Sequence, residues 1–299
     1  MVNKLENLLE IACNKRKKVI SVAVAQDKEV LTAVIKAVEM NIVDAILVGD
    51  EQKIIEIAGR ENLNISNVKI VDEKDIIRAA AKAVELVANG QANFIMKGML
   101  NTSDLLKAVL NKEMGLRGEG LLSHVMIYDV PSYHKLLMLT DGGMVLYPDL
   151  NEKVGIIKNA VKVAHALNID NPKIAPLCAV ESVNTNMQAT IDASLLTQMN
   201  KRGQIKGCII DGPLALDNAI SEESTKHKGI VSAVAGDSDI LLVPNIEAGN
   251  MLGKSLTYFA NAENAGVIMG AKCPVVLVSR ADSAKSKLYS IALGSIIAE

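Results

Sequence analysis

The sequence predicts an α/β fold with a mostly parallel sheet covered by helices, and three observations point to it. Hydrophobic residues make up 49% of the 299 positions while aromatics make up 2%, with no Trp. The core therefore has to be built from Ala, Val, Ile, Leu and Met, and such aliphatic runs suit strands buried on both faces. Short β-branched runs also alternate with amphipathic helical patterns along the chain, the order that parallel strands with right-handed crossovers produce. Finally, polar residues gather directly after several of these runs, where open α/β sheets bind their ligands.

The elements follow in order. Val19 to Ala25 reads as a strand and Lys28 to Met40 as the helix after it. Ala45 to Val48 is a strand ending in Gly49-Asp50, followed by a helix over Gln52 to Arg60. Val68 to Val71 leads into an Ala-rich helix over Lys74 to Ala88, and Phe94 to Met96 into a helix opened by the capping cluster Asn101-Thr102-Ser103-Asp104. The middle breaks the rhythm. Leu121 to Val130 and Leu136 to Leu139 are strands with no helix between them, so an antiparallel or irregular excursion is expected there, and Pro131 marks the best candidate for a domain crossing. Alternation resumes with a helix over Glu152 to Leu167, a strand over Ile174 to Val180 and a helix over Gln188 to Asn200. Strands follow at Cys208 to Asp211, Ile240 to Val243 and Val275 to Val278, and a last helix starts at Ser283.

Composition removes several function classes. Lys plus Arg total 32 against 34 Asp plus Glu, a net charge of −2. That balance argues against a nucleic-acid partner, and the scarcity of rings argues against a stacking platform for single strands. No apolar run approaches the ~18–20 residues of a membrane span, so no membrane partner is expected. The amino-terminal stretch MVNKLENLLEIACNKRKKV has no uninterrupted apolar segment, and no secretory signal is read from it. Cys13, Cys178, Cys208 and Cys273 are widely spaced with no CxxC. A reduced, cytoplasmic protein with buried thiols is expected, and no metal site, since His124, His134, His165 and His227 form no ligand-spaced pairs.

The chemistry is sought after the strands. Ser279-Arg280-Ala281-Asp282-Ser283 follows an aliphatic strand and opens a helix that Ser283 can cap. A guanidinium there, beside free backbone N–H groups, is a ready phosphate clamp, while the plain reading is a surface Arg before a capping Ser. Lys97-Gly98 is either a binding element or a strand-end charge, and Asp211-Gly212-Pro213 either a site or a turn. Ala248 to Ser255 fits a relaxed P-loop with Ala248 in place of the first Gly, but Leu252, Leu256 and Phe259 fall at helical spacing, so the segment reads as the start of an amphipathic helix. No GxGxxG follows the first strand and no GxSxG is present. Gly115, Gly118 and Gly120 read as helix-cap and turn glycines.

Seven motifs occur in one order: Met96-Lys97-Gly98; Asn101-Thr102; Ser123-His124-Val125; Leu139-Thr140-Asp141; Asp211-Gly212-Pro213-Leu214-Ala215-Leu216-Asp217; Pro244-Asn245-Ile246-Glu247-Ala248-Gly249-Asn250; and Ser279 to Ser283. Together, over nearly the whole chain, they resemble the phosphate acetyl/butyryltransferase family. The resemblance implies two α/β domains of the isocitrate and isopropylmalate dehydrogenase type, with the active site in the interdomain cleft. One domain would span 1–130 plus 280–299, closed by the C-terminal helix, and the other 131–279. It implies reversible transfer of a short acyl group, butyryl first, with acetyl or branched chains as alternatives, between coenzyme A and inorganic phosphate. No cofactor is implied, since coenzyme A and phosphate are substrates. A functional partner would be an acyl (butyrate) kinase, and the chain would be a homodimer or larger homo-oligomer.

The resemblance also assigns residues. Arg280 would bind the phosphoryl group and Ser279 would donate to the reacting carbonyl or thiolate, with direct attack in a ternary complex and no acyl-enzyme. Lys97, Gly98, Asn101, Thr102, Ser123, Thr140, Asp141, Gly212, Pro213, Asn245, Glu247, Asn250 and Ser283 would line the substrates. The acetyl branch carries a carboxylate where Ser286 stands here, so the base is unassigned: Asp282 and Asp211 are candidates, with another group or bulk solvent as the alternatives. Lys107 replaces an acetyl-branch arginine, keeping charge without the bidentate fork. Two other readings remain: an NAD-dependent dehydrogenase of the same fold, and a non-catalytic phosphate or acyl-CoA binding protein.

Overall fold

Aliphatic runs become strands and amphipathic stretches become helices, and most of the longer helices start at a side chain that accepts from the first turn. The computed structural model describes residues 3–118, 120–279 and 282–298. It divides into two units, 5–120 with 265–299, and 1–4 with 121–264. The sequence reading put the crossings after 130 and 279; the units change hands after 120 and 264 instead. The antiparallel strands β5 and β6 thereby stay in one unit.

The first unit holds α1 (Glu6–Asn14), β1 (Lys18–Ala23), α2 (Lys28–Glu39), β2 (Val43–Gly49), α3 (Glu51–Arg60), β3 (Lys69–Asp72), α4 (Ile76–Ala88), β4 (Phe94–Lys97) and α5 (Thr102–Val109). It also holds β10 (Glu263–Met269) from residue 265 on, β11 (Val275–Val276) and α11 (Ala284–Ile297). Its strand order is β3-β2-β1-β4-β11-β10. Pairing is parallel from β3 to β11, and β10 runs antiparallel to β11. Asp27, Asp50 and Asp75 cap α2, α3 and α4 by accepting from the N–H three residues on.

Helix α11 is buried on every face from Ser286 to Ile296; it is mostly apolar, with Ser286, Lys287, Ser290 and Ser295 buried in it. It packs against α1, α2 and the strands β4 and β11. Gly294 lets it approach the sheet: a Cβ there would lie 2.7 Å from Val276 Cγ2 and 2.8 Å from Phe94 Cε2.

The second unit holds β5 (Ser123–Asp129), β6 (Leu137–Thr140), α6 (Leu150–Ala166), β7 (Lys173–Pro176), α7 (Gln188–Lys201) and β8 (Ile209–Ile210). Helices α8 (Leu216–Ile220) and α9 (Glu222–His227), strand β9 (Ile240–Leu242) and helix α10 (Ile246–Tyr258) complete it. The order is β5-β6-β9-β7-β8, with β5 and β6 antiparallel, as the missing helix between them predicts, and the remaining pairs parallel. Asp149 and Glu152 form a reciprocal capping box on α6.

Several expectations shift. The strand expected over 174–180 ends at Pro176, because Cys178 N–H turns to the Leu214 carbonyl. Strand β10 is not visible as an aliphatic run, since Asn264 and Gly266 interrupt it, and Gly266 N–H is taken instead by Ser290 Oγ at 2.9 Å. Gly115 and Gly118 are not helix caps. Each sits where a Cβ would strike backbone, Gly115 on residues 109 and 111 and Gly118 on 270 and 271. The P-loop-like segment is helix α10, capped by Asn245 Oδ1 on Ala248 N–H at 3.0 Å. Its glycines serve packing: a Cβ on Gly249 would lie 2.6 Å from Gly142 Cα, and one on Gly253 2.6 Å from the Tyr128 hydroxyl. Among the described residues no helix is long and apolar enough to cross a membrane.

A charged cluster closes the amino-terminal ends of β6, β7 and β9 in the second unit. Asp237 accepts from Lys173 Nζ at 2.5 Å, pairs with Lys135 at 2.9 Å and meets His134 Nε2 at 2.7 Å. Partial burial pushes its carboxyl up, but hydrogen bonds from Lys173, Lys135 and His134 outweigh that and hold it below the usual carboxylate range.

Two outcomes are expected. Gly294→Val forces a side chain into Val276 and Phe94, and should lower stability by about 1–3 kcal/mol despite better helix propensity, read as an earlier denaturant midpoint with unchanged slope. Because the folded Asp237 carboxyl titrates below its unfolded value, the stability it adds is present above about pH 4 and lost as pH falls further. Asp237→Asn should therefore flatten the acid side of a melting-temperature profile between about pH 4 and 2 while leaving its neutral side merely offset; an unchanged acid slope would refute the assignment.

Candidate functional site

In the first unit, two parallel strands end side by side and deliver sequence-predicted residues to one place. Lys97 is the last residue of β4, and Ser279 lies three residues beyond β11, its parallel neighbour. Both line a shallow concavity, partly open to solvent, together with Gly98, Asp27 and Lys287. Gly98 is required there, because its Cα presses on the Ala23 and Val24 carbonyls at the end of β1 and leaves no room for a Cβ. Lys97 is buried, with its ammonium donating to the Gly98 and Leu100 carbonyls at 3.2 and 3.1 Å.

The turn that carries Ser279 is stapled from both ends. Ser279 N–H donates to Asp282 Oδ2 at 2.7 Å, and Asp282 N–H returns to the Ser279 carbonyl at 3.1 Å. Lys287, one turn into α11, donates through Nζ to the Asp282 carbonyl at 2.5 Å and reaches the Ser279 carbonyl at 3.5 Å. The geometry thus gives Asp282 a holding contact with the Ser279 backbone. Ser283 caps α11 by accepting from Ser286 N–H at 3.2 Å, and Glu29 of α2 takes the next donor, Ala284 N–H, at 3.2 Å. The N-terminus of α11 is thereby occupied by protein acceptors. Arg280 lies outside the described residues.

The remaining residues of this unit sit apart from the concavity's lining. Asn101 stands at the N-cap of α5, but its side chain donates to Asp104 at 3.2 Å. Thr102 opens the helix, and Lys107 is on its solvent face, 3.6 Å from Asp104.

In the second unit the predicted residues cluster around the carboxyl ends of β6, β8 and β9, mostly in structural contacts. Ser123 Oγ is buried and accepts from Asn159 at 2.8 Å. Thr140 Oγ1 donates to the His124 carbonyl at 2.8 Å, and buried Asp141 accepts from the N–H groups of Gly143 and Met144 at 2.9 Å each and of Val145 at 3.3 Å. Gly212 O accepts from Thr197 at 3.2 Å, and the Gly212–Pro213 and Thr140–Asp141 peptides are cis. Asp211 follows β8, half-buried, its N–H on the Ile174 carbonyl. Asn245 is spent on capping α10, Glu247 accepts from Tyr147 Oη, and Asn250 is exposed.

Sequence reasoning missed three features. Lys287 and Lys285 look alike on paper, and only the burial of α11 separates the inward one from the outward one. Glu29 at the start of α11 is a contact between residues 255 positions apart. The third is an ion pair in the second unit, Lys153 with Asp192 at 2.5 Å, each side chain 7% exposed, with Gln188 also donating to Asp192. It faces a small pocket at the ends of β7 and β9 walled by Leu177, Leu196 and Val243.

The thiols beyond Cys13 are poor nucleophiles. Burial pushes Cys178 and Cys208 up to about 11 and Cys273 up to about 12, so all three stay protonated at neutral pH.

Three comparisons bear on this geometry. The family model described as phosphate acetyl/butaryl transferase matches residues 4–81 and 75–295. The phosphate butyryltransferase of Clostridium beijerinckii is 52% identical over 294 residues, 98% of this chain and 96% of that one. A branched-chain phosphotransacylase from Enterococcus faecalis V583 superposes with a TM-score of 0.83 at 36% identity, covering 94% of this chain and 98% of that one. A 4-hydroxythreonine-4-phosphate dehydrogenase from Klebsiella pneumoniae matches with a TM-score of 0.58 at 12% identity, over 95% of this chain and all of that one, a likeness of fold alone. With matching motifs running along nearly its whole length, the chain belongs to the phosphate acetyl/butyryltransferase family of acyltransferases.

Proposed function

We propose that the chain catalyses butanoyl-CoA + phosphate = butanoyl phosphate + CoA. The observation that carries this is the meeting of Lys97, Ser279 and Lys287 on one concavity at the carboxyl ends of β4 and β11. The 52% identity to a phosphate butyryltransferase supports the acyl group. The likeness to a branched-chain phosphotransacylase supports a second reading, isobutyryl or isovaleryl transfer. One methylene in an apolar pocket is worth only about 1–3 kcal/mol, so both are compatible with one site.

A phosphate oxygen attacks the thioester carbonyl, the carbonyl oxygen takes up negative charge, and the C–S bond breaks to release the thiolate of coenzyme A. Transfer of an acyl group from sulfur to oxygen involves no change of oxidation state, so the reading requires no redox cofactor, and no metal enters it. What it requires is a clamp for the phosphate dianion, donors for the developing oxyanion, and placement of the two substrates together. Arg280, by its position in the sequence, is the clamp, and Ser279 the donor. In the reverse direction the thiol attacks the acyl phosphate directly. With Asp282 engaged at the Ser279 N–H, the proton of that thiol goes to solvent or to the phosphate itself. The reading extends to a kinase that consumes the acyl phosphate, to a cytoplasmic setting and to a homo-oligomer, for which light scattering in solution is the direct measurement.

Coenzyme A release from butyryl-CoA should depend on phosphate, followed with a thiol reagent across straight and branched C2 to C5 acyl groups. Release at the same rate without phosphate would make the protein a thioesterase and end this reading. Ser279→Ala should lower kcat by about 10²-fold or more, the usual effect of deleting one oxyanion donor. Arg280→Ala should cause a large loss in kcat/KM for phosphate, and a variant with wild-type kinetics would remove Arg280 from the mechanism.

A further inference from the structure

Lys287 is 3% exposed, yet its ammonium meets only backbone carbonyls: Asp282 at 2.5 Å and Ser279 at 3.5 Å. It forms no ion pair among the described residues. An ammonium removed from water is costly unless an opposite charge or a full set of acceptors replaces its hydration. Carbonyl dipoles meet part of that need. The carboxylates nearby are turned elsewhere, each to a backbone N–H: Asp27 to Val30, Glu29 to Ala284 and Asp282 to Ser279. The Ala284 and Ser286 N–H groups at the start of α11 are taken as well, which favours side-chain cations as the groups that meet an anion arriving at this turn. Lys287 lines the concavity beside Ser279, and Lys97, also buried, lines it too.

We propose that Lys287 is a substrate-binding residue, its ammonium held by the Ser279 and Asp282 carbonyls so that it takes an oxygen of the phosphate dianion beside Ser279, with Lys97 as the other buried cation of the lining. The inference rests on the acyltransferase reading and adds to the Arg280 clamp a second residue that contributes to phosphate affinity. The same contacts aim Ser279, since they hold both ends of its turn. The anion is inorganic phosphate and not a phosphate of coenzyme A, because the concavity lies at the reacting serine, where the acyl group has to meet its acceptor.

The test uses the full chain in two measurements: calorimetric titration with inorganic phosphate in the absence of acyl-CoA, and steady-state kinetics with both substrates varied. Lys287→Gln keeps N–H donors for the two carbonyls and removes the charge. It should weaken phosphate binding and raise the phosphate KM about tenfold or more, with the acyl-CoA KM within about threefold of wild type. Lys287→Arg, which keeps the charge, should stay within about fivefold for phosphate. Should Lys287→Gln not fold, the Arg variant and the wild-type titration carry the test. Four results overturn the proposal: unchanged phosphate affinity in a folded Gln variant, a rise confined to the acyl-CoA KM, equal losses in Gln and Arg variants that track a lowered melting temperature, or a wild-type chain that binds no phosphate. A wild-type chain that binds phosphate through Lys287 yet releases no coenzyme A would remove the acyl-transfer reading and leave the binding assignment standing.

Discussion

The first unit depends on the burial of α11. A helix so largely apolar has no stable place at a surface, so the end of the chain must return and fill the space between α1, α2 and the strands β4 and β11. That return brings two segments separated by over 150 residues into one core, and it sets the depth at which the helix begins. Gly294 fixes how close the helix comes to the sheet. Its opposite end, with Ser283 and Glu29 on the first N–H groups, fixes where the turn after β11 can lie. The turn carrying Ser279 is thus the visible end of a packing constraint that starts in the core.

Polar groups in this region are used twice. Asp282 holds the backbone of Ser279, and Lys287 holds the carbonyls of the same turn. A turn tied at three points keeps its serine in one orientation, which is the preorganisation that stabilisation of a developing charge requires. The buried pair Lys153–Asp192 in the second unit illustrates the opposite case. There the two charges satisfy each other, and the pair acts on the local fold more than on any ligand. A buried cation facing a carboxylate is neutralised; one facing carbonyls beside a concavity keeps charge to offer.

Much of the fold was legible because most strands are aliphatic runs and many of the longer helices have an amphipathic period with an Asp, Asn or Ser ahead of them. The missing helix between residues 130 and 136 announced the antiparallel pair β5–β6. Strand β10 was illegible, because Asn264 and Gly266 break its pattern and find their reason only in what lies across from them. The segment from Ala248 to Ser255 mimics a phosphate loop, but its glycines are needed for packing against Gly142 and Tyr128, residues more than a hundred positions away.

The candidate site divides the same way. The order of the motifs, the Ser279–Ser283 segment and Lys97-Gly98 after a strand were readable in the amino-acid sequence, since strand ends and helix caps are local signals. So was family membership, which the ordered motifs carry together. Lys287 was not readable, nor the use of Glu29 and Asp282 as holders of backbone N–H groups. Which of two lysines two residues apart is buried depends on where along α11 the burial begins, and that is set by the packing of α11 against its neighbours. Local sequence determines where backbone groups are left open; only tertiary packing decides which distant side chains fill them and which charges remain for a substrate.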